Sequence, residues 1–184
     1  NEADSDDCDP SSSTTFPGAA ESDSLTACQK DDDGDGYGDK VPPSGVTSGT
    51  DCDDTNPLVS AAGTETCTTS YDDDCDGDEN DLGALICIDF FTDDDDDGYG
   101  DLFDSECRCD PQDPYLLEDN SDCNDDSDTT FPGAAEAESA TSCREDDDFD
   151  GYGDDSPPFG VTAGDDCDDG RVLVNPGVNE RCVT

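Results

Sequence analysis

Histidine, methionine and tryptophan are all missing from this chain, and only 6 basic side chains stand against 54 acidic ones. Without imidazole there is no ordinary general base near neutral pH. With thioether also absent, a soft-metal ligand set is lacking unless cysteine supplies it. A net charge of −48 repels nucleic acid and anionic membranes, which excludes both as direct partners. Hydrophobic residues make up 29%, cysteines included, too few for burial to offset chain entropy and charge repulsion in plain water. No apolar run approaches the roughly 20 residues that span a bilayer. The longest, Leu82 to Phe91, is interrupted by Asp89. No C-x2-C pair occurs, so zinc and iron–sulfur sites lack their usual spacing. There is no initiator methionine and no basic leader, which predicts a processed or partial chain.

What is present is aspartate in a fixed order. Asp31, Asp33 and Asp35 occupy positions one, three and five of a loop, Gly36 position six, the carbonyl of Tyr37 position seven and Asp39 position nine. That is the ligand order of a chain wrapped around a hard cation such as Ca²⁺, with glycine at the sharp bend. The pattern returns as Asp93, Asp95, Asp97, Tyr99 and Asp101, and again as Asp146, Asp148, Asp150, Tyr152 and Asp154. A shorter relative runs through Asp72, Asp74, Asp76 and Asp78. Four matches in one short chain make a strong signal.

These loops sit in a larger repeat. Cys8, Cys28, Cys52 and Cys67 recur 115 residues later as Cys123, Cys143, Cys167 and Cys182, without a gap. Each loop has a companion that starts at an acid-flanked cysteine and reaches a glutamate thirteen positions on: Cys8 to Glu21, Cys52 to Glu65, Cys123 to Glu136, Cys167 to Glu180. Pro-Gly turns precede three of those glutamates and predict a return of the Glu toward the Asp cluster. The expectation is a second cation shell in which Glu65 joins Asp51, Asp53 and Asn56. Asp7 and Asp9 with Glu21, Asp122 with Glu136, and Asp166 and Asp168 with Glu180 are the counterparts.

The fold class this predicts is irregular and low in secondary structure: tandem, disulfide-stapled, Ca²⁺-binding loop repeats, elongated, with at most short β-strands. Leu85 to Phe91 is the one plausible strand. Phe16, Phe131, Tyr37, Tyr99 and Tyr152 are expected to form small aromatic contacts within modules. The module boundaries are 1–30, 31–69, 70–92, 93–145 and 146–184. Twelve cysteines point to an oxidising, extracellular or cell-surface setting. Local bridges Cys8–Cys28, Cys52–Cys67, Cys123–Cys143 and Cys167–Cys182 are expected. Cys75 and Cys87 then pair across to Cys107 and Cys109, in an order left open.

With these residues in hand, the chain resembles the MopE-type metal-binding repeat of bacterial surface and secreted proteins. The resemblance rests on Asp31 to Asp39, on Asp51-Cys52-Asp53-Asp54-Thr55-Asn56-Pro57, on Glu65-Thr66-Cys67 and on Asp72 to Gly77. The loops are also similar to thrombospondin type 3 repeats, in which calcium and disulfides replace a hydrophobic core. They depart from the EF-hand, because position twelve is Pro42, Gly83, Asp104 or Pro157 rather than glutamate. The missing ligand must come from elsewhere, and the Asp-Cys-Asp segment is the candidate. The family label carries copper, whereas carboxylate and carbonyl oxygens select Ca²⁺.

Catalysis has little support, since no apolar pocket is predicted and no histidine is available. The run Ser11 to Thr15 reads as a loop and a candidate for O-glycans rather than a nucleophile site. The function this predicts is an extracellular Ca²⁺-stiffened rod or fibre segment, from a tandem array or a head-to-tail filament. In the filament the Cys182–Thr184 end meets the Asn1–Cys8 start, where Asp4, Asp6 and Asp7 complete a shared site. A monomeric calcium-binding adhesin is the alternative, and a disordered acidic ion buffer a third reading that fixed cysteine spacing opposes.

Overall fold

The computed structural model describes residues 7–178. Asp4, Asp6, Glu180 and Cys182, and with them the expected Cys167–Cys182 bridge and head-to-tail junction, lie outside the described residues. Six short strands and, among the described residues, no helix make up the regular structure. Strand β1 (Thr15–Pro17) pairs antiparallel with β2 (Cys28–Lys30), Thr15 opposite Lys30. Strand β3 (Ile88–Phe91) pairs with β4 (Ser105–Arg108). Strand β5 (Thr130–Pro132) pairs with β6 (Cys143–Glu145), repeating the first hairpin with Thr130 opposite Glu145. The strand expected over 85–91 begins only at Ile88, because Ile86 takes a left-handed φ of 64° that extended backbone cannot accommodate. The three-residue strands of the other hairpins are too short to show an alternating pattern.

The chain divides into two compact units, Asn1–Cys87 and Ile88–Thr184. In the first, the buried apolar residues include only Ala20, Val59, Cys75 and Ala84, alongside buried Asp31, Asp51, Asp54, Glu65 and Asp73. In the second, Phe90, Phe91 and Ala135 are buried with Asp146 and Asp166. Large apolar side chains such as Val41, Phe103 and Phe159 face solvent instead. Carboxylates therefore occupy the interior positions that aliphatic residues fill in an ordinary domain. Tyr99 and Phe131 stack with ring centroids 5.4 Å apart, one of the small aromatic contacts expected.

None of the described cysteines is free. Cys8 is bridged to Cys28 and Cys123 to Cys143, each with Cα atoms 6.3 Å apart, as expected. Cys52 is bridged not to Cys67 but to Cys75, with a Cα separation of 5.6 Å. Cys75 therefore does not reach across to Cys107 or Cys109. These bridges span 20 and 23 residues; Cys28 and Cys143 stand just before the next Asp loop, and Cys75 stands within it. The closest cysteine beyond the glutamate is held elsewhere: a parallel bridge between Thr66 and Leu85 lays the Cys67 segment along the residues leading to Cys87. Both Cys67 and Cys87 are disulfide-bonded.

Candidate metal centres

Each Asp loop is wound by its own carboxylates. In the first, Asp31 accepts the amides of Gly34 at 2.7 Å and Gly36 at 3.1 Å, Asp33 that of Asp35 at 3.1 Å, and Asp35 that of Tyr37 at 2.8 Å. The leading aspartate accepts the amide of the sixth-position glycine in all four loops, at Asp31, Asp72, Asp93 and Asp146. Two positions have positive φ throughout. The sixth is glycine each time, with φ from 90° at Gly151 to 106° at Gly77. The fourth is Gly34 in one loop but Cys75, Asp96 and Phe149 in the others, with φ of 60–64° at the three non-glycine residues. One backbone conformation thus recurs four times, strained at one residue in three of them.

The winding commits one oxygen each of Asp33, Asp35, Asp95 and Asp97 to a backbone amide, whereas both oxygens of the leading Asp31 and Asp93 accept amides. One oxygen each of Asp31, Asp33 and Asp35 lies within 4.8 Å of the others, and the same holds for Asp93, Asp95 and Asp97. Two oxygens on one ion at about 2.4 Å each can be no further apart than about 4.8 Å, so these sets fit a shared Ca²⁺-sized cation. The buried Oδ2 atoms of Asp33, Asp95, Asp97 and Asp148 accept no hydrogen bond. Buried polar atoms are nearly always partnered, so these orphaned oxygens are the mark of an ion-binding position.

In three of the four loops the candidate for the missing ligand is the residue before the companion cysteine. Asp51 pairs with Asp39, Asp122 with Asp101 and Asp166 with Asp154, each as a parallel bridge. Asp51 and Asp166 are 0% exposed, and the Oδ2 atoms of Asp51, Asp122 and Asp166 again accept nothing. Burial pushes the Asp51 carboxyl up to about 7, against the amide of Asp53, and the charges of Asp35 and Asp33 add to it. Burial likewise raises Asp97 to about 6, helped by Asp95 and Asp122, and raises Asp148, helped by Asp150 and Asp166. In the absence of a cation these carboxylates repel one another in a low-dielectric enclosure, and a divalent ion removes that cost. Close approach of the two segments requires glycine: a Cβ on Gly49 would overlap the carbonyl of Gly38, and one on Gly164 that of Gly153.

Among the described residues, Glu21, Glu65 and Glu136 lie beside the loop that follows them, not with their own cysteine segment. Glu65 does not close a shell with Asp51, Asp53 and Asn56. It is buried beside Asp72 and Asp74, within the same 4.8 Å limit, with Oε2 accepting the amide of Asp73 at 2.8 Å and Oε1 unpartnered. Glu21 and Glu136 lie against Gly36 and Gly151, the bends of the loops that follow them. Asp53 and Asn56 instead shape a local turn, Asp53 accepting the hydroxyl of Thr55 and Asn56 the amide of Leu58. Asp168 is ion-paired with Arg171, its Oδ2 accepting the Arg171 Nε–H at 2.6 Å, and its backbone carbonyl accepts the Arg171 amide at 2.9 Å. Asp7 accepts the amide of Asp9, and Asp9 that of Ser11.

The centre around Asp72, Asp74, Asp76 and Asp78 is the most open, and Asp81, absent from the sequence pattern, groups with Asp74 and Asp76. Asp51 also approaches the sulfurs of Cys52 and Cys75, but disulfide sulfur lacks the thiolate charge that binds metal. The ninth-position Asp39 turns away from its loop, its Oδ1 accepting the amide of Val41 at 2.8 Å and its Oδ2 3.6 Å from the Lys30 ammonium. Asp54, Asp125 and Asp169, not among the expected ligands, anchor the loops through the amides of Asp32, Asp94 and Asp147. Their signal was an acidic residue two positions after each of these companion cysteines, which reads as one more solvated charge.

Among the described residues no helix is long and apolar enough to cross a membrane. Comparison with known proteins finds that the Cu-binding MopE family model, described as "Putative metal-binding motif", matches residues 7–40, 51–81, 122–155 and 166–184. These segments cover more than half of the chain. No curated protein and no solved structure matches.

Proposed function

The chain belongs to the Cu-binding MopE metal-binding family, and on that premise we propose that it is an extracellular calcium-binding structural repeat protein that forms a rod or fibre segment. The observation that carries the reading is the set of enclosed, unpartnered carboxylate oxygens, recurring at equivalent positions of the loops and of the aspartates beneath them. Asp31, Asp33, Asp35 and Asp51 would hold one ion. Asp93, Asp95, Asp97 and Asp122, then Asp146, Asp148, Asp150 and Asp166, then Glu65, Asp72 and Asp74 would hold others. The carbonyls of Tyr37, Tyr99 and Tyr152 supply further oxygen. A bound divalent cation supplies the attraction that carboxylates alone lack, and so stands in for an apolar core.

The donors are all hard oxygens, with histidine and methionine absent and the described cysteines oxidised, which supports Ca²⁺ over copper despite the family's name. Disulfides support an extracellular or cell-surface location. Repeated modules, each with its own staple and ion, support one-dimensional stacking and head-to-tail self-association rather than catalysis.

Calorimetric titration of the oxidised, metal-free chain with Ca²⁺ and with Cu²⁺ tests the first part. Uptake of several Ca²⁺ with weak copper binding is expected, and the reverse order of affinity defeats it. Negative-stain imaging with and without EGTA tests the second. Calcium-dependent fibres are expected. A monodisperse particle under both conditions leaves the monomeric adhesin as the function.

A further inference from the structure

The Lys30 ammonium sits among three carboxylates: Asp32 at 2.8 Å, Asp39 at 3.6 Å and Asp54 in a still closer contact. Burial disfavours its charge, but the hydrogen bonds to Asp32 and Asp54 more than compensate and hold its pKa well above the ordinary lysine value. This cation position lies outside the cluster of Asp31, Asp33 and Asp35. Its scaffold is made of backbone: the amide of Asp32 donates to Asp54 at 2.9 Å, and that of Asp39 to the Lys30 carbonyl at 2.9 Å. The hydroxyl of Thr14 donates to Asp32 at 2.6 Å.

The same scaffold stands 115 residues further on. The amide of Asp147 donates to Asp169 at 3.1 Å, that of Asp154 to the Glu145 carbonyl at 3.0 Å, and the hydroxyl of Thr129 to Asp147 at 2.7 Å. Asp147, Asp154 and Asp169 are thus the counterparts of Asp32, Asp39 and Asp54. The one exchanged side chain is decisive, because Glu145 stands in place of Lys30. Three carboxylates that enclose an ammonium in one copy face a fourth carboxylate in the other. Asp169 lies within electrostatic reach of Asp147 and Asp154, and so does Glu145. Oδ1 of Asp169 is fully enclosed and accepts no hydrogen bond. In the middle copy Thr92 holds the lysine position, and Asp94, Asp101 and Asp125 line an open cleft there.

We propose that this is a second class of cation position, which the chain fills with its own Lys30 ammonium in one copy and which Asp147, Asp154, Asp169 and Glu145 fill with a free divalent cation in the other. The occupant is a hard, oxygen-seeking ion of the Ca²⁺ type, because all of its donors are carboxylates. The inference rests on the calcium-binding reading above and extends it to a position beside, rather than within, the cluster of Asp146, Asp148 and Asp150.

The test is a count of bound ions by native mass spectrometry of the oxidised chain saturated with Ca²⁺. Glu145→Lys supplies a tethered ammonium and is expected to bind one ion fewer than the wild type. Lys30→Glu removes one and is expected to bind one ion more, a gain that misfolding cannot imitate. Should Glu145→Lys lose several ions through misfolding, Asp169→Asn replaces it, again with a loss of one expected. A wild-type count in Lys30→Glu or in the charge-changed second copy overturns the proposal. A wild-type chain that takes up no Ca²⁺ at all overturns the calcium reading itself, a distinct result.

Discussion

Asp51 is bonded, backbone to backbone, alongside Asp39: its amide donates to the Gly38 carbonyl at 2.9 Å, and the Lys40 amide donates to the Asp51 carbonyl at 2.6 Å. Asp166 stands beside Asp154 in the same way. This contact lodges a fully buried carboxylate under a loop that begins twenty residues earlier in the chain, beside the carboxylates of Asp33, Asp35 and Asp54 and the Cys52–Cys75 disulfide.

Asp51→Asn is expected to act in opposite directions on the two forms of the protein. The amide side chain keeps the oxygen that accepts the Asp53 amide at 2.8 Å but removes the buried charge. The calcium-free chain should become more stable, and the first loop should lose at least about tenfold in Ca²⁺ affinity, roughly 1.4 kcal/mol. Urea unfolding in a chelator and calorimetric titration read the two effects.

The pH dependence has a definite sign. Asp51 and Asp169 are raised by burial to about 7, and Asp97 to about 6, against an unfolded value of 3.8. Their folded forms hold protons that the unfolded chain has released, so ν is larger in the native state. In the metal-free protein this stabilisation is fully present below about pH 4 and is lost as the pH rises through 6 to 7. Calcium competes with those protons, so its affinity should climb over the same interval. Thermal melts of the demetallated protein at several pH values, with and without added Ca²⁺, check both slopes. A metal-free chain that is more stable at pH 8 than at pH 5 contradicts the first.

Disulfide mapping by peptide mass should recover a Cys52–Cys75 fragment and no Cys52–Cys67 fragment. Replacing both residues by serine opens a bridge spanning 23 residues and should lower stability by about 3 kcal/mol. Because Cys75 lies within the loop that begins at Asp72, the weakened centre should be that of Glu65, Asp72 and Asp74.

Phe149 combines a left-handed φ of 60° with an exposed side chain. Phe149→Gly should relieve about 1 kcal/mol of backbone strain while sacrificing little packing. The expected result is a several-fold gain in Ca²⁺ affinity at the loop of Asp146, Asp148 and Asp150, measured by titration. A loss of affinity would show that the ring contributes contacts that exposure conceals.

Much of the candidate site was legible because its ligands are local. Alternation along Asp31, Asp33 and Asp35 and the bend at Gly36 follow from the chain's own geometry, and so does the recurrence of the loop. The role of Asp51 was only half legible, since nothing in a linear pattern says which loop a distant carboxylate will meet. Glu65 was paired with the wrong partners for the same reason: the turn before it points onward to Asp72, whereas the spacing is equally compatible with a return to Asp53. Lys30 was invisible, because one lysine among so many aspartates looks like a surface charge until its three neighbours are seen.

The order of residues alone determined that this chain has too little apolar surface to form an ordinary core, that its loops can wrap hard cations, and that its modules repeat. Those properties depend on composition and on contacts within a few residues. The tertiary structure decided which aspartate closes which loop, that Cys52 joins Cys75, and that Lys30 and Glu145 occupy equivalent places with opposite charge. These depend on backbone pairing between segments a dozen or more residues apart, where close approach at glycines such as Gly49 and the enclosure of charge, rather than sequence spacing, select the partner.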